Sequence, residues 1–322
     1  MADITHRHIE TNNVNLHIAE AGEGPLVVLC HGFPESWYSW RHQIPVLADA
    51  GFHVVAPDQR GYGDSDAPED IAAYSILHLT GDIVGLVHAL GEEQAVVVGH
   101  DWGSPVAWAL AQMRPDMFRA VVSLSVPFMG RGPWPPIAGM RHAFGDRFFY
   151  QIYFQTPGVA EHELQHDIGM TMRKMLYGAS GAIERSGGSF GVEGAPPASS
   201  YMLERMPDPG DALPPWLSAE DIDAYVQSFT KSGFRGGLNW YRNIDHNWVL
   251  TGPFQGKKIE KPALFVAGDR DVVPFNPEAE QRMREAVPDL RDVVVLPGIG
   301  HWTQQEAPEA VNEALLGFLA SL

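Results

Sequence analysis

The chain has 322 residues and is 45% hydrophobic, enough for one large α/β domain or two units with a sizeable core. Lysine and arginine number 22 against 40 acidic residues, and the resulting charge of -18 disfavours nucleic acid and anionic membrane surfaces, which select basic patches. The one cysteine, Cys30, excludes an internal disulfide and reads as a small core residue. Residues 1–6 lack the charged and apolar regions of a signal peptide, and no apolar run approaches the ~20 residues of a membrane span. The expectation is a soluble, cytoplasmic protein.

In chain order, Val14 to Ala19 reads as a strand of a hairpin begun near His8. Leu26 to Cys30 is a continuous apolar run, as expected of a strand buried on both faces, and it enters His31-Gly32-Phe33-Pro34. A helical pattern follows through Leu47, then a short strand at Val54-Val55-Ala56 and a helix from Leu79 to Leu90. Ala95 to Val98 is a strand, Trp102 to Met113 a helix, and Ala120 to Leu124 a strand. This alternation predicts a doubly wound, mostly parallel sheet.

It stops near Pro127. Phe128 to about Asn247 is aromatic, Met-containing and rich in Gly and Pro, with Gly178 to Gly210 close to low complexity. Such a segment reads as a lid, a binding loop or a disordered stretch. Alternation resumes with a strand at Ala263 to Ala267, a helix from Pro277 to Ala286, a strand at Val293 to Leu296 and a helix from Pro308 to Leu319. The expected division is a core of residues 1–127 and 248–322 carrying a helical cap of residues 128–247.

Between strand and helix lies Gly99-His100-Asp101-Trp102-Gly103. This is the context of a Gly-x-Ser-x-Gly nucleophile elbow, with aspartate where serine usually sits. The glycines suit strained angles and close strand–helix approach. At a helix N-terminus an anion is favoured, so Asp101 is expected to stay ionised and act as nucleophile. The bland alternative is a helix N-cap.

Asp271 and His301 each lie just past a later strand, Asp271 in Gly268-Asp269-Arg270-Asp271 and His301 in Gly298-Ile299-Gly300-His301-Trp302. Sites in open α/β sheets form outside the carboxyl ends of strands. In the order nucleophile, acid, histidine, His301 is the expected base and Asp271 the group that orients it, with Asp269 a competitor for the acid role.

Five stretches then carry a resemblance that spans nearly the whole chain: His31-Gly32-Phe33-Pro34, Gly99 to Gly103, Tyr150-Gln151-Ile152-Tyr153-Phe154-Gln155, Gly233 to Asn243, and Gly300-His301-Trp302-Thr303-Gln304. The chain resembles the α/β-hydrolase-fold epoxide hydrolases, close to the hydrolase domain of the mammalian soluble enzyme. The resemblance implies Asp101 as nucleophile, His301 as base and Asp271 as its partner. It implies an oxyanion hole from the backbone N–H groups of Phe33 and Trp102, and a cis bond before Pro34. Tyr150 and Tyr241 match the two cap tyrosines that hold the epoxide oxygen, and Tyr153 is the nearby alternative to Tyr150. Gly178 to Gly210 matches poorly.

The chemistry suits these residue types. A carboxylate attacking an epoxide carbon forms an ester, whose carbonyl water can attack, whereas serine would form an ether. The nucleophile carries no proton, so His301 is free to activate that water. The departing alkoxide needs proton donors, and a phenol of pKa near ~10 remains protonated at neutral pH.

A second motif, His162-Glu163-Leu164-Gln165-His166, matches the H-E-x-x-H zinc helix, but Met172 occupies the third ligand position of the longer pattern. The better reading is a solvated cap helix, so neither a metal nor an organic cofactor is expected. His6 and His8 share a strand face without an evident partner. Two other functions stay open: a haloalkane dehalogenase, which would use N–H donors rather than paired tyrosines, and a non-catalytic small-molecule receptor. The expected partners are a small apolar epoxide and water, with a homodimer left open.

Overall fold

The computed structural model describes residues 2–183, 197–210 and 212–322. The centre of the low-complexity stretch, and with it the expectation of an irregular lid loop there, lies outside the described residues.

Among the described residues, eight strands form one sheet in the order β1-β2-β4-β3-β5-β6-β7-β8. They are β1 (Thr5–Thr11), β2 (Val14–Ala21), β3 (Leu26–Cys30), β4 (His53–Pro57), β5 (Ala95–His100), β6 (Phe118–Leu124), β7 (Ala263–Gly268) and β8 (Leu290–Leu296). The β1–β2 and β2–β4 pairs are antiparallel and the rest parallel. Helices α1 (Ile44–Asp49), α2 (Ile76–Ala89) and α3 (Gly103–Met113) pack on the sheet.

Between β6 and β7 the chain leaves the sheet. The insertion carries α4 (Pro136–Phe144), α5 (Tyr150–Tyr153), α6 (Val159–His166), α7 (Ile168–Ala179), α8 (Ala219–Ser232), α9 (Arg235–Arg242) and α10 (Ile244–Leu250). The chain closes with α11 (Pro277–Ala286), α12 (Thr303–Glu306) and α13 (Pro308–Ala320).

Strand periodicity sorts the core. Val28, Val97, Val121 and Phe265 join one cluster with α2, α3 and the insertion, while Val27, Val96, Val122 and Val266 join another with α1 and α13. Both faces are therefore covered, which is why these strands read as unbroken apolar runs rather than alternating ones. Cys30 is fully buried in β3. The helical pattern expected after Pro34 resolves into a 3-10 turn at Trp37–Trp40 followed by α1. Among the described residues, no helix is long and apolar enough to cross a membrane.

His6 and His8 do have partners, contrary to the sequence expectation. His6 Nδ1 lies 3.1 Å from His17 Nε2, and His8 Nε2 lies 3.3 Å from the Asp64 carbonyl. His17 comes from the neighbouring strand and Asp64 from a loop after β4, so neither contact is visible in local sequence.

Candidate active site

The site sits at the carboxyl ends of β5, β7 and β8, beneath the insertion. Asp101 has φ of 47°, a left-handed conformation rare for a side chain with a Cβ. The flanking glycines make that turn fit. A Cβ on Gly99 would lie 2.1 Å from the Gly103 carbonyl oxygen, and one on Gly103 would lie 2.0 Å from that of Cys30. Trp102, not Asp101, occupies the N-cap position of α3. The Asp101 carboxylate points instead into the cleft, where the Phe33 N–H donates to Oδ1 at 2.7 Å. Among the described residues the Trp102 amide shows no hydrogen bond to that carboxylate. The Phe33–Pro34 peptide is cis.

His301 Nε2 lies 3.4 Å from Asp101 Oδ2, and its Nδ1 lies 2.8 Å from Asp271 Oδ1. Asp269 is placed elsewhere: its Oδ1 accepts the Gly298 N–H at 2.7 Å and shapes the loop before the histidine. Burial alone would lower the His301 pKa, but Asp271 and Asp101 outweigh it and hold the pKa well above the ordinary value.

The insertion supplies the opposite wall. Tyr150 and Tyr241, with ring centroids 5.9 Å apart, line the same cavity as Asp101 and His301. Phe33, Phe154, Met175, Met202 and Val272 make much of the rest of the lining of this largely apolar cavity, whose volume is about 70 Å³. Burial, with added repulsion from Asp101, raises the pKa of both tyrosines, so both hydroxyls keep their protons. Tyr153 turns away and donates to Glu163 Oε2 at 2.8 Å.

Local sequence explains how these tyrosines are held. Gly237 lets α9 close onto the loops below, since a Cβ there would meet the Phe33 ring at 2.6 Å and the Tyr62 hydroxyl at 2.7 Å. Gln155 donates to the carbonyls of Gln151 (2.8 Å) and Tyr241 (3.0 Å), tying α5 to α9. Edge-on rings of Trp102 and Phe154 fix the Tyr241 ring at centroid distances of 5.2 and 4.9 Å.

Comparison with known proteins places the chain in a family. The model of the α/β-hydrolase fold family matches residues 25–308. Epoxide hydrolase A of Mycobacterium tuberculosis is 48% identical over 99% of this chain and 98% of its own length. The chain belongs to the epoxide hydrolase family of the α/β-hydrolase fold. A crystal structure of epoxide hydrolase A from Mycobacterium thermoresistibile superposes with a TM-score of 0.91 at 48% identity, covering 99% of this chain and 98% of that one. The bifunctional epoxide hydrolase 2 of Mus musculus is 41% identical over 98% of this chain and 56% of its own length.

Sequence reasoning missed several residues around the site of this epoxide hydrolase family member. Glu35 and His100 form a fully buried pair under the elbow, Oε2 to Nδ1 at 2.6 Å. Glu35 also accepts the Gly32 N–H at 2.9 Å, and His100 Nε2 donates to the His301 carbonyl at 2.7 Å. Burial would raise the Glu35 pKa, but His100 and the Gly32 N–H outweigh it and hold it at about 2. Its signal was an acid directly after His-Gly-Phe-Pro in a stretch otherwise destined for burial.

The zinc-like motif has another use here. Glu163 accepts the N–H groups of Met202 (3.1 Å) and Leu203 (2.7 Å) besides the Tyr153 hydroxyl, while His162 and His166 face solvent. Among the described residues no cluster of three or more His, Cys, Asp or Glu side chains could hold a metal ion.

Proposed function

We propose that the protein converts small apolar epoxides to vicinal diols through an ester on Asp101, with residues 128–247 acting as a cap that closes over the substrate. The observation that carries this reading is a convergence on one cavity. The Asp101 carboxylate lies between a His301–Asp271 pair on the sheet side and two protonated tyrosine hydroxyls on the insertion side.

In the first step an Asp101 oxygen attacks an epoxide carbon, the carbon–oxygen bond breaks, and the alkoxide takes a proton from Tyr150 or Tyr241. Esterification removes the Asp101 charge, one of the two that hold the proton on His301. His301 then returns its proton through solvent to the tyrosinate and becomes a neutral base. In the second step it takes a proton from water, hydroxide attacks the ester carbonyl, and the Phe33 N–H, with that of Trp102 as the second expected donor, steadies the oxyanion. Collapse releases the diol and restores the carboxylate and the imidazolium. Epoxide plus water gives diol, and no proton is left over.

The reading requires no organic cofactor and no metal, and it carries with it a cytoplasmic location suggested by the acidic composition and single buried cysteine. A haloalkane dehalogenase would use N–H donors for halide, whereas the cavity opposite Asp101 carries the paired hydroxyl-bearing side chains of Tyr150 and Tyr241.

The test is covalent trapping. His301→Gln mixed with styrene oxide should gain one substrate mass, mapped by peptide analysis to Asp101. In heavy-oxygen water the wild-type first turnover should yield unlabelled diol, because the incoming oxygen belongs to Asp101. Full label in that first turnover would mean direct attack by water and would remove Asp101 as nucleophile.

A further inference from the structure

The loop that carries His301 is held from three sides, and one of them is the insertion. The His301 backbone N–H donates to the Ala179 carbonyl at the end of α7, at 2.9 Å. The Trp302 indole N–H donates to the Leu176 carbonyl on the same helix at 2.7 Å. Contact there is backbone on backbone: a Cβ on Gly300 would lie 2.2 Å from the Gly181 nitrogen, and one on Gly181 would lie 2.1 Å from the Gly298 oxygen. Neither glycine can be replaced without driving α7 and the loop apart.

One side chain closes this junction. Glu306 Oε2 accepts the N–H of Gly181 at 2.8 Å and of Gly300 at 3.1 Å, and Oε1 accepts the N–H of Trp302 at 3.0 Å. Gly300 and Trp302 are the two neighbours of His301, and Gly181 is the second residue beyond α7. From the other side the Gly181 carbonyl accepts from Arg270 at 2.9 Å, and Arg270 directly precedes Asp271. A partly buried carboxylate that accepts three backbone N–H groups is a strong, directional tie.

We infer that Glu306 is a positioning residue for the general base: it locks the end of the insertion to the His301 loop and so sets the imidazole for attack of water on the ester. The inference rests on the Asp101–His301 reading above. It assigns Glu306 to the second half-reaction alone. The tyrosines of the first step lie on α5 and α9, which Gln155 ties together without passing through this junction.

The expected signature is a split between constants. In a two-step reaction through a covalent ester, kcat/KM reports steps up to ester formation, while slow ester hydrolysis lowers kcat and KM together. Glu306→Gln keeps the size of the side chain but turns an NH₂ toward at least one of the three donors. Its kcat should fall roughly tenfold or more, the effect of losing one charge-assisted hydrogen bond from the geometry of the transition state. Its kcat/KM should stay at the wild-type level, and intact mass during turnover of styrene oxide should show the ester accumulating. Glu306→Asp, too short to reach all three N–H groups at once, should show the same split to a smaller extent and carries the test if the glutamine variant does not fold. Wild-type kcat in a folded Glu306→Gln variant, a wild-type kcat in Glu306→Asp where only that variant folds, or a parallel loss of kcat and kcat/KM would overturn the inference. If His301→Gln forms no adduct on Asp101, the parent reading fails instead; an adduct there with none accumulating in the Glu306 variants rejects only the role of Glu306.

Discussion

The floor and the roof of the cavity do comparable work with different means. On the floor, Asp101, Asp271 and His301 each follow the end of a parallel strand; β5 and β7 have hydrogen-bonded neighbours on both sides, and the edge strand β8 is held by β7. On the roof, Tyr150 stands on a helix of four residues and Tyr241 on one of eight, neither long enough to be stable alone. Their placement depends on side-chain ties such as Gln155 and the buried Arg242–Glu161 ion pair at 2.7 Å. The floor holds groups to fixed positions through its ladder; the roof is an assembly of local contacts over an apolar pocket. On the proposed reading the nucleophile and base come from the floor, while the roof supplies the proton donors and is expected to set substrate preference.

The sharpest way to break this comparison is to remove the hydroxyls of Tyr150 and Tyr241, the proposed proton donors, while leaving the floor intact. Tyr150→Phe and Tyr241→Phe should each raise the barrier to ester formation by about 2.7–4 kcal/mol, and the double variant should be nearly inactive. Hydrolysis of an ester already formed should change little. Rapid-mixing measurement of the two half-reactions checks this; an unchanged first step in Tyr241→Phe would shift the balance toward a dehalogenase.

Beneath the floor, the Glu35–His100 pair tests whether the elbow is held electrostatically. The Glu35 pKa lies at about 2 against an ordinary 4.5, so its stabilising contribution is fully present above pH 4.5 and is lost as pH falls toward 2. Glu35→Gln should be less stable than wild type at pH 7 by about 3–5 kcal/mol, the cost of removing one partner of a buried pair, and the gap should narrow in denaturant titrations between pH 4.5 and 2. A gap independent of pH would assign the loss to packing instead.

The smallest effect sharpens the same contrast at the rim. Lys231 on α8 pairs with Asp64 at 2.7 Å across the seam between roof and floor, but the side chains are 59% and 42% exposed. Lys231→Ala should change stability by no more than about 0.5 kcal/mol and leave kinetics unaltered, as thermal melts and turnover assays would register. A larger change would mean that the roof is fastened at its rim rather than through its buried ties.

What was readable from the chain alone follows the same division. The apolar runs of β3, β5, β6 and β7 and the elbow between β5 and α3 are local patterns, because a strand covered on both faces leaves its signature in consecutive residues. Asp101, Asp271 and His301 were legible because each falls next to a strand end that the pattern already marks. Tyr150 and Tyr241 were legible only through resemblance; nothing in periodicity separates them from other buried aromatics. Tyr150 and Tyr153 differ by one helical turn, and only the partner of Tyr153, Glu163, shows which of them faces Asp101.

The chain by itself thus determined the order of the core elements, the left-handed turn at Asp101 and the placement of its carboxylate at a strand end, all of which depend on neighbours in sequence. Tertiary structure alone decided which acid meets the histidine, Asp271 rather than Asp269, and which tyrosine meets the cavity. It also decided that Glu35, His100 and Glu306 stand behind Asp101 and His301, and that Glu163 holds the N–H groups of Met202 and Leu203. Those outcomes rest on hydrogen bonds between residues far apart in the chain, such as Glu306 to Gly181 across 125 positions. Such bonds are too directional and too short in range for composition or periodicity to encode.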